Sequence, residues 1–359
     1  MRSGEMLSPK IAGIEAARGI AAFLVVIYHA ARHVAQYSGD LPFGSISMFG
    51  HAGVDFFFVL SGFIIVFVHE RDIGRPERIG RYLQRRFTRI FPLYWVALAM
   101  KVAILGLSTT RDIPGLGVVL VNASLVPIEA PIVGVAWTLQ LEMLFYAVFL
   151  VLIANRAAGV ALLLLWAALA TSTLFGKRDW GAQAVNAFSS PYCLQFFMGM
   201  AAAWIVRRAE LPSPRLVLWA GAAAFALAGT LENLGMMDGY EAWPARIVYG
   251  VSATVALIGI VGTERQGLLR VPRALVWLGD ASYAIYLFHL IAIGMVSQVL
   301  RGLGLRESVA PELQYLLLVA AGVVGGIVAS RVIEKPLLAL SRRLFSAPGD
   351  GLLLSTPGR

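Results

Sequence analysis

Residues 14–35 read IEAARGIAAFLVVIYHAARHVA, a largely apolar run in which Arg18 and His29 lie on either side of the centre. A helix of roughly 20 apolar residues is long enough to cross the hydrocarbon core of a bilayer. Arg18 and His29 are eleven residues apart, which in a helix is three turns plus about 20° of rotation and about 16.5 Å of rise. We therefore expect a membrane-spanning helix that presents both side chains on one face, with Arg18 near one end and His29 deeper.

The rest of the chain has the same apolar character. Of its 359 residues, 58% are hydrophobic and 14% are charged, whereas soluble domains are about 45–50% apolar and about 25% charged. This composition excludes a water-soluble globule and a disordered chain. The sequence predicts an all-α, polytopic integral membrane protein with about ten transmembrane helices. The apolar stretches fall at residues 14–35, 48–68, 90–107, 134–154, 157–176, 190–206, 214–234, 244–263, 275–299 and 313–333.

The positions of the basic residues predict the topology. If the N-terminus is cytoplasmic, 20 of the 30 Lys and Arg residues lie in inner segments and five lie in outer loops. Cytoplasmic loops of membrane proteins are enriched in Lys and Arg, so we expect a multi-pass protein of the inner (cytoplasmic) membrane with both termini cytoplasmic. The net charge of +9 then reflects topology and contact with membrane lipid, and we expect no nucleic-acid partner.

The domain organisation follows from the same pattern. We expect residues 1–345 to form a single membrane domain and residues 346–359 to form a disordered cytoplasmic tail. The lone cysteine, Cys193, excludes an intrachain disulfide and any cysteine-based zinc or iron–sulfur site. His29 and His33 have the spacing of a metal-binding pair but lack a third candidate ligand nearby in the sequence, so we expect no metal.

Ionisable side chains inside the spans need a partner or a function, because each costs about 2.5–3.5 kcal/mol on insertion. Glu142 lies in the middle of a predicted span, within AWTLQLEMLFY, with Thr138 and Tyr146 on the same helical face. Arg18 fits an interfacial anchor as well as a functional residue. His29 fits a neutral, hydrogen-bonded core histidine as well as a general base.

Two further spans carry polar residues. The stretch HAGVDFFFVLSGFIIVF contains His51, Asp55 and Ser61, for which a structural hydrogen bond between helices is slightly favoured over a catalytic role. The stretch GDASYAIYLFHL carries a polar stripe at three-residue spacing, which also fits packing against neighbouring helices: Tyr283, Tyr286 and His289.

An arginine cluster precedes the third span. Residues 69–89 contain seven arginines, more than topology requires. Arg86 and Arg89, within RYLQRRFTRIFPLYW, are three residues apart and share a helical face. Their two guanidinium groups offer the planar forks that bind phosphate oxygens. Positive-inside anchoring is the alternative explanation.

Together these stretches resemble the acyltransferase-3 family of integral membrane acyltransferases, whose members O-acylate extracytoplasmic glycans. The resemblance runs from about residue 14 to residue 336 in the order of the family's motifs. It is closest to short exopolysaccharide-acetylating members, since the C-terminal hydrolase-like domain of some relatives is not found in this sequence. The matching stretches are GIEAARGIAAFLVVIYHA, GVDFFFVLSGFII, RRFTRIFPLYW, AWTLQLEMLFY, LGDASYAIYLFHL and the closing IEKP.

The resemblance implies a set of site residues. Arg18 and His29 match the family's Arg-x10-His motif, Arg86 and Arg89 match its Arg-x-x-Arg pair, and Glu142 matches the acidic residue after its tryptophan-containing motif. By this resemblance, His29, Arg18 and Glu142 are the expected catalytic residues, and Arg86 and Arg89 are expected to bind the donor.

The expected function is transfer of an acyl group, most simply acetyl, from cytoplasmic acetyl-CoA to a hydroxyl of an extracytoplasmic or lipid-linked glycan. His29 either deprotonates that hydroxyl or carries the acyl group transiently, and we hypothesise that Glu142 orients His29. A transporter or flippase of a lipid-linked saccharide is the main alternative. A membrane sensor without catalysis is the other.

Overall fold

The computed structural model describes residues 11–107, 112–175, 180–239 and 243–345, and the regular structure in these ranges is helical throughout. The predicted all-α fold is therefore confirmed. The predicted disordered tail, residues 346–359, lies outside the described residues. The α-helices are α1 (Ala12–Ser38), α2 (Gly53–His69), α3 (Ile79–Gly106), α4 (Leu116–Ser124), α5 (Trp137–Ala154), α6 (Arg156–Ser172), α7 (Gln183–Phe188), α8 (Tyr192–Arg208), α9 (Pro214–Asn233), α10 (Trp243–Arg265), α11 (Arg273–Asp280), α12 (Ser282–Gly302), α13 (Pro311–Ala329) and α14 (Lys335–Phe345).

Within the described ranges, eight helical segments are long and apolar enough to cross a membrane. They comprise α1, α2, α3, α5, α9, α10, α12 and α13 with the short helical turns that extend some of them. The other two predicted spans correspond to α6 and α8, each 17 residues long. Helices of that length extend about 25 Å, at the lower limit for crossing a bilayer. The chain is a multi-pass membrane protein.

Two hydrogen bonds join helix ends that the predicted topology places on the same side of the membrane. At one end, the backbone N–H of Ala12, in α1, donates to Glu264, near the end of α10, at 2.6 Å. At the other end, the hydroxyl of Tyr37 donates to Gln314, at the start of α13, at 2.7 Å. We call the end at which α1, α3 and α12 begin the arginine-rich end, because the arginines of residues 71–89 lie there.

Helix α2 is held close to α8 by two glycines. A Cβ built at Gly199 would lie 1.9 Å from the carbonyl oxygen of Val59, and one built at Gly62 would lie 2.1 Å from that of Phe196. Neither position has room for a side chain, so the two backbones pack in direct contact, as is common between membrane helices with small residues at their interface. This contact sets the position of Ser61, which lies on α2 beside the cavity described next.

Candidate active site

A cavity opens between α1, α2, α3, α5 and α12 and reaches from the arginine-rich end into the bundle. Its cavity volume is about 100 Å³, and it is open to solvent. Four of the five predicted site residues line it: Arg18, Arg86, Arg89 and Glu142. The remaining lining residues are Val54, Phe57, Phe58, Leu60, Ser61, Ile64, Ile90, Thr138, Leu139, Tyr146, Ser282, Tyr283 and Tyr286. The walls are thus largely apolar, with charges concentrated on α1, α3 and α5.

Glu142 is bound by two hydroxyl groups inside the cavity. Its Oε1 accepts a hydrogen bond from Ser61 Oγ at 2.7 Å and a second, short one from the hydroxyl of Tyr146. Tyr146 is four residues beyond Glu142 on α5, as the sequence pattern predicts, whereas Ser61 comes from α2. The guanidinium carbon of Arg86 lies 5.3 Å from the Tyr146 ring centroid. The carboxylate is therefore fixed within a cationic and hydroxyl-rich wall.

Arg86 is positioned by a chain of side chains that the sequence analysis did not single out. Its Nη2 donates to Nε2 of His69 at 2.9 Å, and Nδ1 of His69 donates to Asp72 at 2.7 Å. A ring nitrogen that accepts from arginine carries no hydrogen, so the His69 hydrogen resides on Nδ1, where Asp72 receives it. His69 follows directly on an apolar run, and its buried position on α2 is the feature that could have drawn attention to it.

Arg18, Arg89 and Ser282 lie at the arginine-rich side of the cavity. Nη1 of Arg18 donates to Glu15 at 3.1 Å. The side chain of Glu334, from the IEKP stretch, interacts electrostatically with both arginines. The hydroxyl of Ser282 is fully buried and has no hydrogen-bond partner among the described residues. This part of the wall therefore combines two guanidinium groups with an unpaired hydroxyl group.

His29, the fifth predicted residue, does not line this cavity. Its Nδ1 lies 2.9 Å from the carbonyl oxygen of Val25 and 3.2 Å from Nε2 of His289 on α12. The hypothesis that Glu142 orients His29 is wrong in this structure, because His29 contacts Val25 and His289, whereas Glu142 bonds to Ser61 and Tyr146. The partner is another histidine, at the end of the polar stripe that the sequence shows on α12.

Tyr286 connects the cavity with the histidine pair. It lines the cavity, and its ring centroid is 6.1 Å from that of His289. Its hydroxyl is 2.8 Å from Thr138 Oγ1 and 3.2 Å from the carbonyl oxygen of Val135. The Tyr286 ring therefore borders both the cavity and His289.

A second cluster of buried polar residues lies toward the opposite end, and we call it the outer charge network. Nη1 of Arg246 donates to Asp55 at 2.6 Å, and Gln195 donates to the other oxygen of Asp55. His51 lies 2.6 Å from Glu232 and 3.4 Å from Arg246. The network joins α2, α8, α9 and α10, which agrees with a structural role for Asp55 and His51. The sequence analysis singled out neither Arg246 nor Glu232.

Within the described ranges, no group of three or more His, Cys, Asp or Glu side chains is arranged to hold a metal ion. His33 does not join His29 in such a group.

The fold and the site define a polytopic helical membrane protein whose cavity is lined by arginines, a carboxylate and apolar side chains. Comparison with known protein families identifies the class of protein. A family model described as an acyltransferase domain matches residues 11–333. The chain belongs to the acyltransferase-3 family and is a membrane O-acyltransferase, as the sequence resemblance predicts. Membership of this family favours the enzyme over the transporter and the sensor.

Curated relatives carry compatible names. The chain is 32% identical over 307 residues to the exopolysaccharide production protein ExoZ of Rhizobium meliloti (strain 1021), covering 82% of this chain and 91% of the relative. It is 26% identical over 317 residues to ORF330 of Acidianus two-tailed virus, whose name gives acetyltransferase as a proposed activity, covering 85% and 89% of the two chains. No solved structure matches the chain.

Proposed function

We propose that this enzyme transfers an acetyl group from acetyl-CoA to a hydroxyl group of a glycan, either a polysaccharide or a lipid-linked saccharide. The observation that carries the proposal is the cavity, which places three arginines at one side of a largely apolar space. Coenzyme A has the matching chemistry, with phosphate groups on one part and an extended, weakly polar arm on the other. The name of ExoZ supports a glycan acceptor, and the name of ORF330 supports acetyl as the group.

Arg86, Arg89 and Arg18 are the proposed donor-binding residues. Guanidinium groups bind phosphate oxygens through two parallel N–H donors, which the point charge of lysine does not offer. Arg86 is already oriented by His69, so less side-chain freedom is lost when phosphate binds. The apolar walls formed by Phe57, Phe58, Ile64 and their neighbours would accept the pantetheine arm and the acetyl group.

The proposal also assigns the sides of the membrane. Acetyl-CoA is a cytoplasmic metabolite, so the arginine-rich end faces the cytoplasm of the cell and the protein resides in the inner membrane. The enrichment of Lys and Arg in the segments of this end supports the same orientation. Both termini are then cytoplasmic, and the outer charge network lies in the outer half of the bilayer.

His29 is the proposed base. The oxygen of the acceptor hydroxyl attacks the thioester carbon and forms the ester bond while His29 takes the hydroxyl proton. The carbon–sulfur bond then breaks, and the coenzyme A thiolate leaves and takes up that proton. Glu142, with Ser61 and Tyr146, orients the donor next to the arginines. Tyr286 borders both the cavity that would hold the donor and His289, the partner of His29.

The test is acetyl transfer by the purified protein in lipid nanodiscs, with labelled acetyl-CoA and the glycan that loses O-acetyl groups when the gene is deleted. We expect label in an alkali-labile ester on that glycan and stoichiometric release of free coenzyme A. Hydrolysis of acetyl-CoA without ester formation, or no difference in glycan acetylation after deletion, would contradict the proposal.

A further inference from the structure

His289 contacts the proposed base but takes no part in the chemistry described so far. It is fully buried, its ring centroid lies 5.0 Å from that of His29, and its Nε2 is 3.2 Å from Nδ1 of His29. Helix α13 confines it, because a Cβ built at Gly322 would lie 3.3 Å from the His289 Cβ. The two imidazoles therefore form a fixed pair, one from α1 and one from α12.

The hydrogen bonds around the pair determine which nitrogens carry hydrogen. Nδ1 of His289 is 3.1 Å from the carbonyl oxygen of Ile285, and a carbonyl only accepts. Nδ1 of a neutral His289 is thus the donor, and its Nε2 is left as an acceptor. Nδ1 of His29 faces two acceptors, this Nε2 and the carbonyl oxygen of Val25. Its hydrogen must therefore reside on Nδ1, which leaves the lone pair of His29 on Nε2.

We propose that His289 is a positioning residue for His29. It shares the Nδ1–H of His29 with the carbonyl oxygen of Val25 and so helps to direct Nε2, on the far side of the ring, at the hydroxyl to be acetylated. This inference rests on the proposed function, in which His29 is the base.

The effect of His289 on His29 is greatest when His29 is charged. Once Nε2 has taken the hydroxyl proton, the Nδ1–H to His289 bond has a cationic donor, and charge-assisted hydrogen bonds are about twice as strong as neutral ones. The proton then passes from Nε2 to the leaving thiolate, so His289 itself gains and loses none. A neutral imidazole thereby takes the place that a carboxylate has beside other catalytic histidines, and Glu142 remains free to act in the cavity.

The test compares His289→Leu, which removes the side-chain acceptor and leaves only the carbonyl oxygen of Val25, with His289→Gln, whose amide oxygen restores a side-chain acceptor. We expect His289→Leu to lower kcat roughly 10- to 100-fold, the range typical when the hydrogen-bond partner of a metal-bound imidazole is removed. The KM for acetyl-CoA should stay within about 2-fold, because the donor-binding arginines are untouched. His289→Gln should recover most of the loss in kcat.

His51→Leu, in the outer charge network, is the matched control and should keep its kcat per folded molecule.

A double variant separates this inference from the proposed function. If the base and its positioning residue are both assigned correctly, His29→Ala retains only a residual rate. Adding His289→Leu to that variant should then lower the rate no further. Normal kcat in His289→Leu, together with inactive His29→Ala, overturns the positioning role alone. Equal loss in His289→Gln and His289→Leu also overturns it, because packing then explains the effect. Full activity of His29→Ala overturns the proposed base. Should His289→Leu not fold, His289→Met, with only a weak acceptor, carries the same expectation.

Discussion

The cavity and the outer charge network contain the same kinds of residue in different surroundings. Each has arginine, a carboxylate and tyrosine hydroxyls within the membrane. In the outer charge network, Arg246 and Asp55 are paired at 2.6 Å and both are buried. In the cavity, Arg86, Arg89 and Glu142 border open space. A charge within the bilayer therefore marks a candidate functional site only where open space lies beside it.

Physical chemistry assigns different roles to the two regions. A buried ion pair that is packed on every side stabilises one arrangement of helices, and loss of one partner leaves the other uncompensated. A charged side chain next to a cavity keeps its hydrogen-bond donors and acceptors available to a ligand. The folded protein is somewhat less stable as a result. Substitutions in the network should therefore affect folding, and substitutions in the cavity should affect catalysis.

The largest effect on stability is expected for Arg246→Ala. It leaves the Asp55 carboxylate buried and unpaired, which costs about 3–5 kcal/mol. We expect a strong fall in folded yield and in Tm, measured by fluorescence-detected size exclusion during heating. The double variant Asp55→Ala/Arg246→Ala should recover part of the loss. A stable but inactive Arg246→Ala protein would instead place the network in the catalytic site.

Glu142→Gln should reduce activity and leave stability nearly unchanged, the opposite of the effect expected for Arg246→Ala. The amide retains the shape of the side chain but loses its negative charge, so we expect kcat to fall about 100-fold while Tm changes little. Steady-state acetyl transfer and thermal unfolding on the same preparation measure both quantities. Unchanged kcat at all pH values would make Glu142 a structural residue and would remove the contrast between the two regions.

Replacing Arg86 and Arg89 together by lysine should weaken acetyl-CoA binding about 10-fold, because charge is retained while the planar forks are lost. Isothermal titration calorimetry in nanodiscs gives the Kd. Arg207→Lys/Arg208→Lys is a matched control: these arginines pair with Glu70 at 2.9 Å and do not line the cavity. Equal Kd values for both variants and the parent protein would indicate that Arg86 and Arg89 serve topology only.

The smallest effect is expected for Ser282→Ala. Its hydroxyl has no protein partner, so its removal breaks no internal hydrogen bond and Tm should be unchanged or slightly higher. If that hydroxyl donates to bound donor, the Kd for acetyl-CoA should rise about 3-fold, the amount expected for one neutral hydrogen bond. A clear fall in Tm would show instead that Ser282 supports the fold.

Sequence patterns were sufficient for the helices and for most of the cavity. Apolar runs and basic residues encode membrane helices directly, and the arginine spacing and the solitary Glu142 depend on one helix at a time. Contacts between distant helices are not encoded in this local way. The partner of His29 is 260 residues away in the chain, and Arg246 is 191 residues from Asp55. For that reason the Glu142–His29 pairing was predicted wrongly, and the role of Glu232 was missed.

The most direct test uses two histidines that flank the same tyrosine. The ring centroid of Tyr28 lies 5.0 Å from that of His29 and 5.5 Å from that of His51, yet we assign His29 to catalysis and His51 to the outer charge network. The measurement is acetyl transfer per folded molecule for His29→Ala and His51→Ala, with acetyl-CoA binding measured on the same samples. We predict that His29→Ala binds acetyl-CoA normally and transfers no acetyl group, while His51→Ala is less stable but active. An active His29→Ala enzyme beside a stable, inactive His51→Ala enzyme would contradict the account.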